Sequence, residues 1–178
     1  MAVERTAELE RARSDAAIAA FVVEHYDRLL RLARLVCRDA SDAADAVQVG
    51  LEQAWRNRST LRDDARVGPW LDRIVVREAV RISKRRQIWL SRLFRPRPEI
   101  TWIESRDPQG SDPSTFVALR AAFQRISPEH RAVVVLHMHF GYTVAETASI
   151  VGAPEETVRS RLRLAKQRLR RELEESQP

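Results

Sequence analysis

Ala145–Leu169, AETASIVGAPEETVRSRLRLAKQRL, decides how this chain is read. Thr143-Val144-Ala145-Glu146 has the Thr-x-x-Glu form of a capping box and opens a short helix through Ile150. Val151-Gly152-Ala153 reads as a tight turn, and Pro154-Glu155-Glu156 as the proline-led, acidic start of a longer helix. Short helix, glycine turn and long helix make a helix-turn-helix, whose second helix can enter a DNA major groove. Val158, Leu162, Ala165 and Leu169 recur at helical spacing and mark the packed side. The other sides carry Arg159, Arg161, Arg163, Lys166, Arg168, Arg170 and Arg171, seven bases against three acids over 154–173. Outward guanidinium groups neutralise phosphates and reach base edges, so this excess favours DNA binding over the bland alternative, a solvated face on a helical hairpin.

Upstream in the same unit, Asp112-Pro113 opens a helix with Phe116, Leu119, Phe123 and Ile126 inward. Ser127-Pro128-Glu129 is a strong start for the next helix: Ser as cap, Pro at the first helical position, an acid in the first turn. Gly141 stops that helix. His137 and His139, two apart on different faces and without a thiol or carboxylate set, read as ordinary imidazoles, so no metal or cofactor is expected.

The first half holds three helical patterns. Ala16–Cys37 places Ile18, Phe21, Val22, Leu29, Ala33 and Val36 on one face. Arg38–Ser41 breaks it, and Asp42 is read as the cap of a second helix burying Val47, Leu51, Ala54 and Trp55. Pro69 suits the first turn of a third, with Leu71, Ile74, Val75, Ala79 and Ile82 inward. There Arg73, Arg77, Arg81 and Arg85 recur every four residues and form a basic stripe. The stripe is either a second nucleic-acid contact or a solvated amphipathic face. The second helix, with Asp42, Asp45, Gln48 and Glu52, has the wrong sign for DNA. It complements a basic protein partner, or is simply a capped helix. Between the halves, Ser91–Pro113 carries four prolines and a glycine and reads as a linker. Arg77–Arg97 holds eight bases and one acid, an excess larger than that of the whole chain.

Composition bounds the rest. The 178 residues carry a net charge of +6, and 29 of the 31 basic residues are Arg, leaving Lys84 and Lys166. A hydrophobic share of 44% supports a core, while 31% charge demands a solvated surface. The longest apolar run, Ala16–Val23, is eight residues, against about 20 for a membrane span. An acidic start (Glu4, Glu8, Glu10) is no secretory leader, so a cytoplasmic protein is expected. Cys37, the only cysteine, rules out an internal disulfide and reads as a buried helix residue. Five glycines and no phosphate-loop pattern point to helices and away from nucleotide chemistry. The fold class is all-α: two small helical domains joined by a Pro-rich linker. Expected bounds are an extension over 1–15, a first domain over 16–90, a linker over 91–113 and a second domain over 114–175.

This order of segments resembles bacterial RNA polymerase sigma factors of the extracytoplasmic function (ECF) type, which keep two of the larger family's domains. Asp42-Ala43-Ala44-Asp45-Ala46-Val47-Gln48 is similar to the D-x-x-D-x-V-Q segment, and Val67–Ile74 to F-R-x-W-L-x-R-I. Ser127–Arg131 and Gly141–Ala148 resemble the start of the promoter-reading domain, and Thr157–Leu162 resembles its T-V-[KR]-S-R-L signature. The resemblance implies that Asp45 and Gln48, with Asp42 and Glu52, dock core RNA polymerase on its β′ clamp helices, with the β subunit a further contact. It implies that Leu61–Gly68 with Arg66, Trp70, Arg73, Arg77, Arg81 and Lys84 captures and opens the minus-ten promoter element. Arg159, Ser160, Arg161, Arg163 and Lys166 would read the minus-thirty-five element of the same promoter DNA. The linker would thread toward the RNA exit path, and an anti-sigma factor is a further expected partner. No catalytic set is expected. The chain departs from the pattern at Val49-Gly50, where an acid is customary, at Glu78, where Asn is, and at Leu164, where Arg is. Glu78 is expected to pair locally with Arg77, Arg81 or Arg85. Two other classes remain open: a free-standing helix-turn-helix regulator, and a degenerate sigma-like interaction module.

Overall fold

The computed structural model describes residues 2–93, 121–123 and 125–174. Helices are the only regular elements among them. α1 spans Ala2–Val36 and bends at His25, where the backbone leaves helical geometry (φ −120°, ψ 15°). The helix starts well before Ala16 because 2–15 is rich in Ala, Glu and Arg, all strong helix formers. α2 spans Ala40–Arg56. Its cap is Asp39 and not Asp42: the Asp39 carboxylate accepts from the amides of Ser41 and Asp42. α1 ends at Val36 and α2 starts at Ala40, so the first free amides of α2 fall beside Asp39. Asp42 then lies inside the first turn, buried and paired with Arg86.

Two short 3₁₀ turns, Arg58–Thr60 and Asp64–Arg66, lead into α3, Val67–Leu93. Leu71, Val75 and Ala79 are fully buried there, with Ile74 and Ile82 at the core edge. α2 crosses α3 at Gly50, where a Cβ would meet the Val75 side chain at 3.1 Å. The departure at Val49-Gly50 thus permits a close helix crossing. α3 runs through 91–93, where the linker was expected; the expectations for 94–120 fall outside the described residues.

α4, Pro128–Val134, starts under the Ser127 cap and ends in a wide π-type turn, Val135–His139. α5, Val144–Val151, has the full capping box of Thr143 and Glu146. It stops at Gly152, which adopts φ +70°, a conformation that strains any residue with a Cβ. α6 spans Glu155–Glu174. Among the described residues no helix is long and apolar enough to cross a membrane.

The two halves share a core. Ala132, Val135, Leu136 and Ile150 of the second half are buried in the same cluster as Leu29, Val36, Val47, Leu71 and Val75. A second cluster, Ile126, Val133, Val134, Ala148, Val158, Leu162 and Ala165, builds the helix-turn-helix itself. Phe123 and Val151 pack on both.

Polar contacts tie the same joint. Arg28 donates two bonds of 2.7 Å to the Asp72 carboxylate, which is fully buried. The Tyr142 hydroxyl donates to Asp72 at 2.6 Å, and the Arg28 guanidinium lies 4.9 Å from the Phe140 ring centre. Burial, then the bond to Asp72, pushes the Tyr142 hydroxyl up to about 12, so it remains a donor. Arg131 donates to the Val36 carbonyl at the end of α1 (2.7 Å) and to the Ile126 carbonyl (2.8 Å). Burial lowers this guanidinium to about 10, which still leaves it charged at neutral pH. Cys37 beside it is buried, its thiol raised to about 11 by burial.

Candidate functional site

Three surfaces carry the candidate residues. The first is α6. Its apolar stripe, Val158, Leu162 and Ala165, packs inward, so the rest of the helix faces out. Arg159, Arg163 and Lys166 are exposed; Ser160 and Arg161 are half-buried. The Arg159 guanidinium is held by Glu155 at 2.9 Å and approached by Glu156 at 3.8 Å, both on its own helix. Ser160 donates its hydroxyl to the Thr157 carbonyl, so toward a ligand it is left as an acceptor. Leu164 is exposed among Gln167, Arg168 and Arg171, with a shallow hollow beside it. The turn before α6 is fixed by amides of Gly152 and Ala153 that both donate to the Ala148 carbonyl.

The second surface is α3 and the loop before it. Leu61 is buried and anchors the loop, and Asp63 caps its second turn. The α1 arm crosses the loop through Arg13–Asp64 (2.5 Å) and Arg58–Asp15 (2.8 Å). Arg66 is exposed, 3.8 Å from Asp63. Trp70 is half-buried, its indole N–H donating to Thr60 at 3.3 Å. Arg73 is exposed with no ion-pair partner among the described residues. Arg77 donates to the Ile150 carbonyl at 3.2 Å, and Lys84 pairs with Glu129. Arg81 pairs with Glu78, which also accepts from Gln53 at 2.8 Å. Burial works to raise the Glu78 carboxyl, and these two bonds outweigh it, leaving it lowered and ionised. Glu78 therefore pairs locally with Arg81, and it ties α3 to α2.

The third surface is α2. Asp45, Gln48 and Glu52 are exposed on one stripe; Glu52 lies 3.6 Å from Arg56. Asp42 stands apart from them, only 9% exposed and bonded to Arg86 at 2.9 Å. Trp55, expected in the core, is 48% exposed. Its position corrects the reading of the helix: spacings of three, four and three set it on the stripe of Asp45, Gln48 and Glu52, away from Val47 and Ala54. Arg58 lies over the ring, 5.4 Å from its centre. The spacing was present in the sequence, and the usual burial of Trp outweighed it.

These helices and surfaces define an all-helical protein whose second half is a helix-turn-helix, and comparison with known proteins names its kind. Residues 21–88 match the family Sigma-70 region 2, and residues 116–169 match Sigma-70, region 4. The ECF RNA polymerase sigma factor SigM of Mycobacterium tuberculosis is 36% identical over 147 residues, spanning 83% of this chain and 72% of SigM. SigL of the same organism is 34% identical over 159 residues, covering 85% and 86% of the two chains. The fold is shared with RpoE of Bartonella quintana, solved with the anti-sigma factor NepR: TM-score 0.67, 22% identity, 88% of this chain and 96% of that one. It is shared also with CnrH, solved with the cytosolic domain of CnrY: TM-score 0.62, 19% identity, 95% and 97% coverage. The chain belongs to the ECF sigma factors of RNA polymerase. Its function is promoter recognition in transcription initiation.

Proposed function

We propose a division of labour in which α2 docks core RNA polymerase, α3 with its preceding loop takes the minus-ten element, and α6 reads the minus-thirty-five element. The observation that carries this reading is the separation of sign by helix. Asp45, Gln48 and Glu52 project from α2 with Trp55 at the end of their stripe, whereas the exposed charge of α6 from Arg159 to Arg171 is cationic. An acidic face with an aromatic at its edge fits a basic protein surface, and an Arg-rich helix fits phosphate and guanine edges. Opening a duplex requires bases to leave the stack at a few kcal/mol each, and an aromatic beside a cation row, as Trp70 is beside Arg73, suits their capture.

The chain performs no chemistry alone and works in the cytoplasm with the polymerase. RpoE is bound to an anti-sigma factor in its solved structure, and a protein of that kind is proposed as a regulator here too. Run-off transcription with sigma-free core polymerase and a promoter library tests the reading. The expected result is start-site selection that requires the chain. Duplex binding with no core-dependent initiation would instead describe a free-standing regulator.

A further inference from the structure

We infer that the first turns of α1, through Arg13 and Asp15, brace the loop over 58–68 and so set the base selectivity of the minus-ten site. This rests on the proposed role of that loop and deepens it: Arg13 and Asp15 act through the loop and are positioning residues.

The brace follows from helical geometry. At about 100° per residue, Ser14, Ile18 and Phe21 fall on one side of α1. Ser14 and Ile18 are buried and Phe21 is half-buried, so this side faces the protein. Arg13 and Asp15, one position before and after Ser14, flank that side on opposite edges. Each edge meets an opposite charge: Arg13 Nε lies 2.5 Å from the Asp64 carboxylate, and Arg58 Nε lies 2.8 Å from Asp15 Oδ1. The signs are reversed between the edges. A slide of α1 that moved Arg13 into the place of Asp15 would set it against Arg58, so the pairs pin one seating of the helix. Asp15 Oδ1 and Arg58 Nε are shut from solvent and have no hydrogen-bond partner beyond this ion contact. Removing either charge leaves the other buried atom uncompensated.

A third contact completes the brace. Phe21 lies on the start of α3, where a Cβ on Gly68 would meet its ring at 3.1 Å. The loop is thus held at 58, 64 and 68 from one helix, with Leu61 buried between the first two points. Within the loop, the Leu61 amide donates to the Arg58 carbonyl and the Arg66 amide to the Asp63 carbonyl. These bonds span three residues each and set local shape, whereas the contacts to α1 set where that shape sits.

Arg62, Ala65 and Arg66 stand exposed beside the pinned points. A loop that orders only on binding loses backbone freedom at that moment, and a loop fixed beforehand does not. Fixing also narrows the bases that fit, because a mobile loop can re-form around several. Arg13 and Asp15 precede the stretch 21–88 that matches Sigma-70 region 2, so the brace is supplied from outside the matched segment to a loop inside it.

The test has two arms, both on the full chain. In the free protein, hydrogen exchange is followed at the Leu61 and Arg66 amides. In the holoenzyme formed with core polymerase, a template library randomised at both promoter elements is offered, and templates retained in heparin-resistant complexes are sequenced. Arg13→Asp should speed exchange at both amides about two- to fivefold, the scale of one largely exposed ion pair. It should flatten the minus-ten base preferences by a similar factor and leave those at the minus-thirty-five element unchanged. Asp15→Asn should do the same to a greater extent, because the atoms it parts are buried. Arg31→Asp, the same change of charge on an exposed part of α1, should do neither. The charge swap Arg13→Asp/Asp64→Arg should restore slow exchange.

Exchange in Arg13→Asp and Asp15→Asn that matches Arg31→Asp overturns the brace, and so does a charge swap that restores nothing. Equal flattening at both promoter elements describes a general loss of stability and overturns the positioning role. Arg66→Ala separates the remaining outcomes. If it alters the minus-ten preferences and Arg13→Asp does not, the brace has no part in selectivity. If neither variant alters them, the role of the loop in the minus-ten site has failed, and the inferred selectivity falls with it.

Discussion

α3 and α6 are both long, Arg-rich helices, yet they offer different amounts of charge. On α3, Arg77, Arg81, Lys84 and Arg86 each meet a partner within the protein. On α6, Arg161, Arg163 and Lys166 meet no ion-pair partner among the described residues, and Arg159 is held only by its own helix. Each carries six Arg and one Lys, and position differs: α3 lies in the joint between the halves, whereas α6 packs within the second half. Counting cations in a sequence measures the charge a helix owns, whereas structure measures the charge it can lend.

The largest effect that would break this contrast is expected at the joint itself. Asp72→Asn removes the carboxylate that Arg28 and Tyr142 share, leaving a guanidinium without its charge partner, at a cost of about 3 kcal/mol. Urea denaturation should show a lower midpoint and a separation of one transition into two, one per half. A single unshifted transition would mean that the joint contributes little.

Next come the proposed DNA contacts. Arg161→Ala should weaken duplex binding by about 1–3 kcal/mol if the side chain reads a base edge. Arg77→Ala should cost less, because the wild-type residue gives up the Ile150 carbonyl before it meets a phosphate. Fluorescence anisotropy on matched duplex and single-strand probes checks both, and equal losses would erase the distinction between the helices. Asp45→Arg should weaken core polymerase binding in pull-down and leave duplex binding by α6 intact; parallel loss would contradict the assignment of α2.

Tyr142→Phe is a smaller perturbation, about 1 kcal/mol for one hydroxyl bond to a carboxylate that keeps Arg28, read as a drop in thermal midpoint. The smallest effect concerns acid. Burial works to raise the Glu129 carboxyl, and the bonds from Lys84 outweigh it, so the folded group sits below its ordinary 4.5. A depressed carboxyl contributes stability above its unfolded value and loses it as pH falls through the folded one. His130 is likewise held below 6.5, first by burial and then by Arg168 and Arg161, so the fold favours its neutral form. Its part of the stability is present at neutral pH and declines as pH falls below 6.5. The thermal midpoint followed against pH should show a weak loss from 6.5 downward and a second below 4.5.

What could be read without coordinates was local. The Thr143 capping box, the Ser127-Pro128 start and the Gly152 stop each lie within a few residues of the backbone they control, and each is where it was expected. The cap of α2 was displaced from Asp42 to Asp39 because three nearby positions carry residues able to cap, and only the chain's exit from α1 chooses among them. Trp55 was misplaced because residue type was weighed above spacing. The joint was not legible at all: Tyr142 and Asp72 are 70 positions apart, and Arg131 and Val36 are 95 apart. Pairs at such distance leave no periodicity, since either partner alone has an ordinary surface reading. Gly50 could be seen as a departure, and its reason, contact with Val75, could not.

The apolar seam through which Leu136 and Ile150 join the first half has a calorimetric consequence. Parting the halves hydrates that seam, so the reaction carries a positive heat-capacity change. The free energy holding the halves together then curves with temperature and weakens on both chilling and warming.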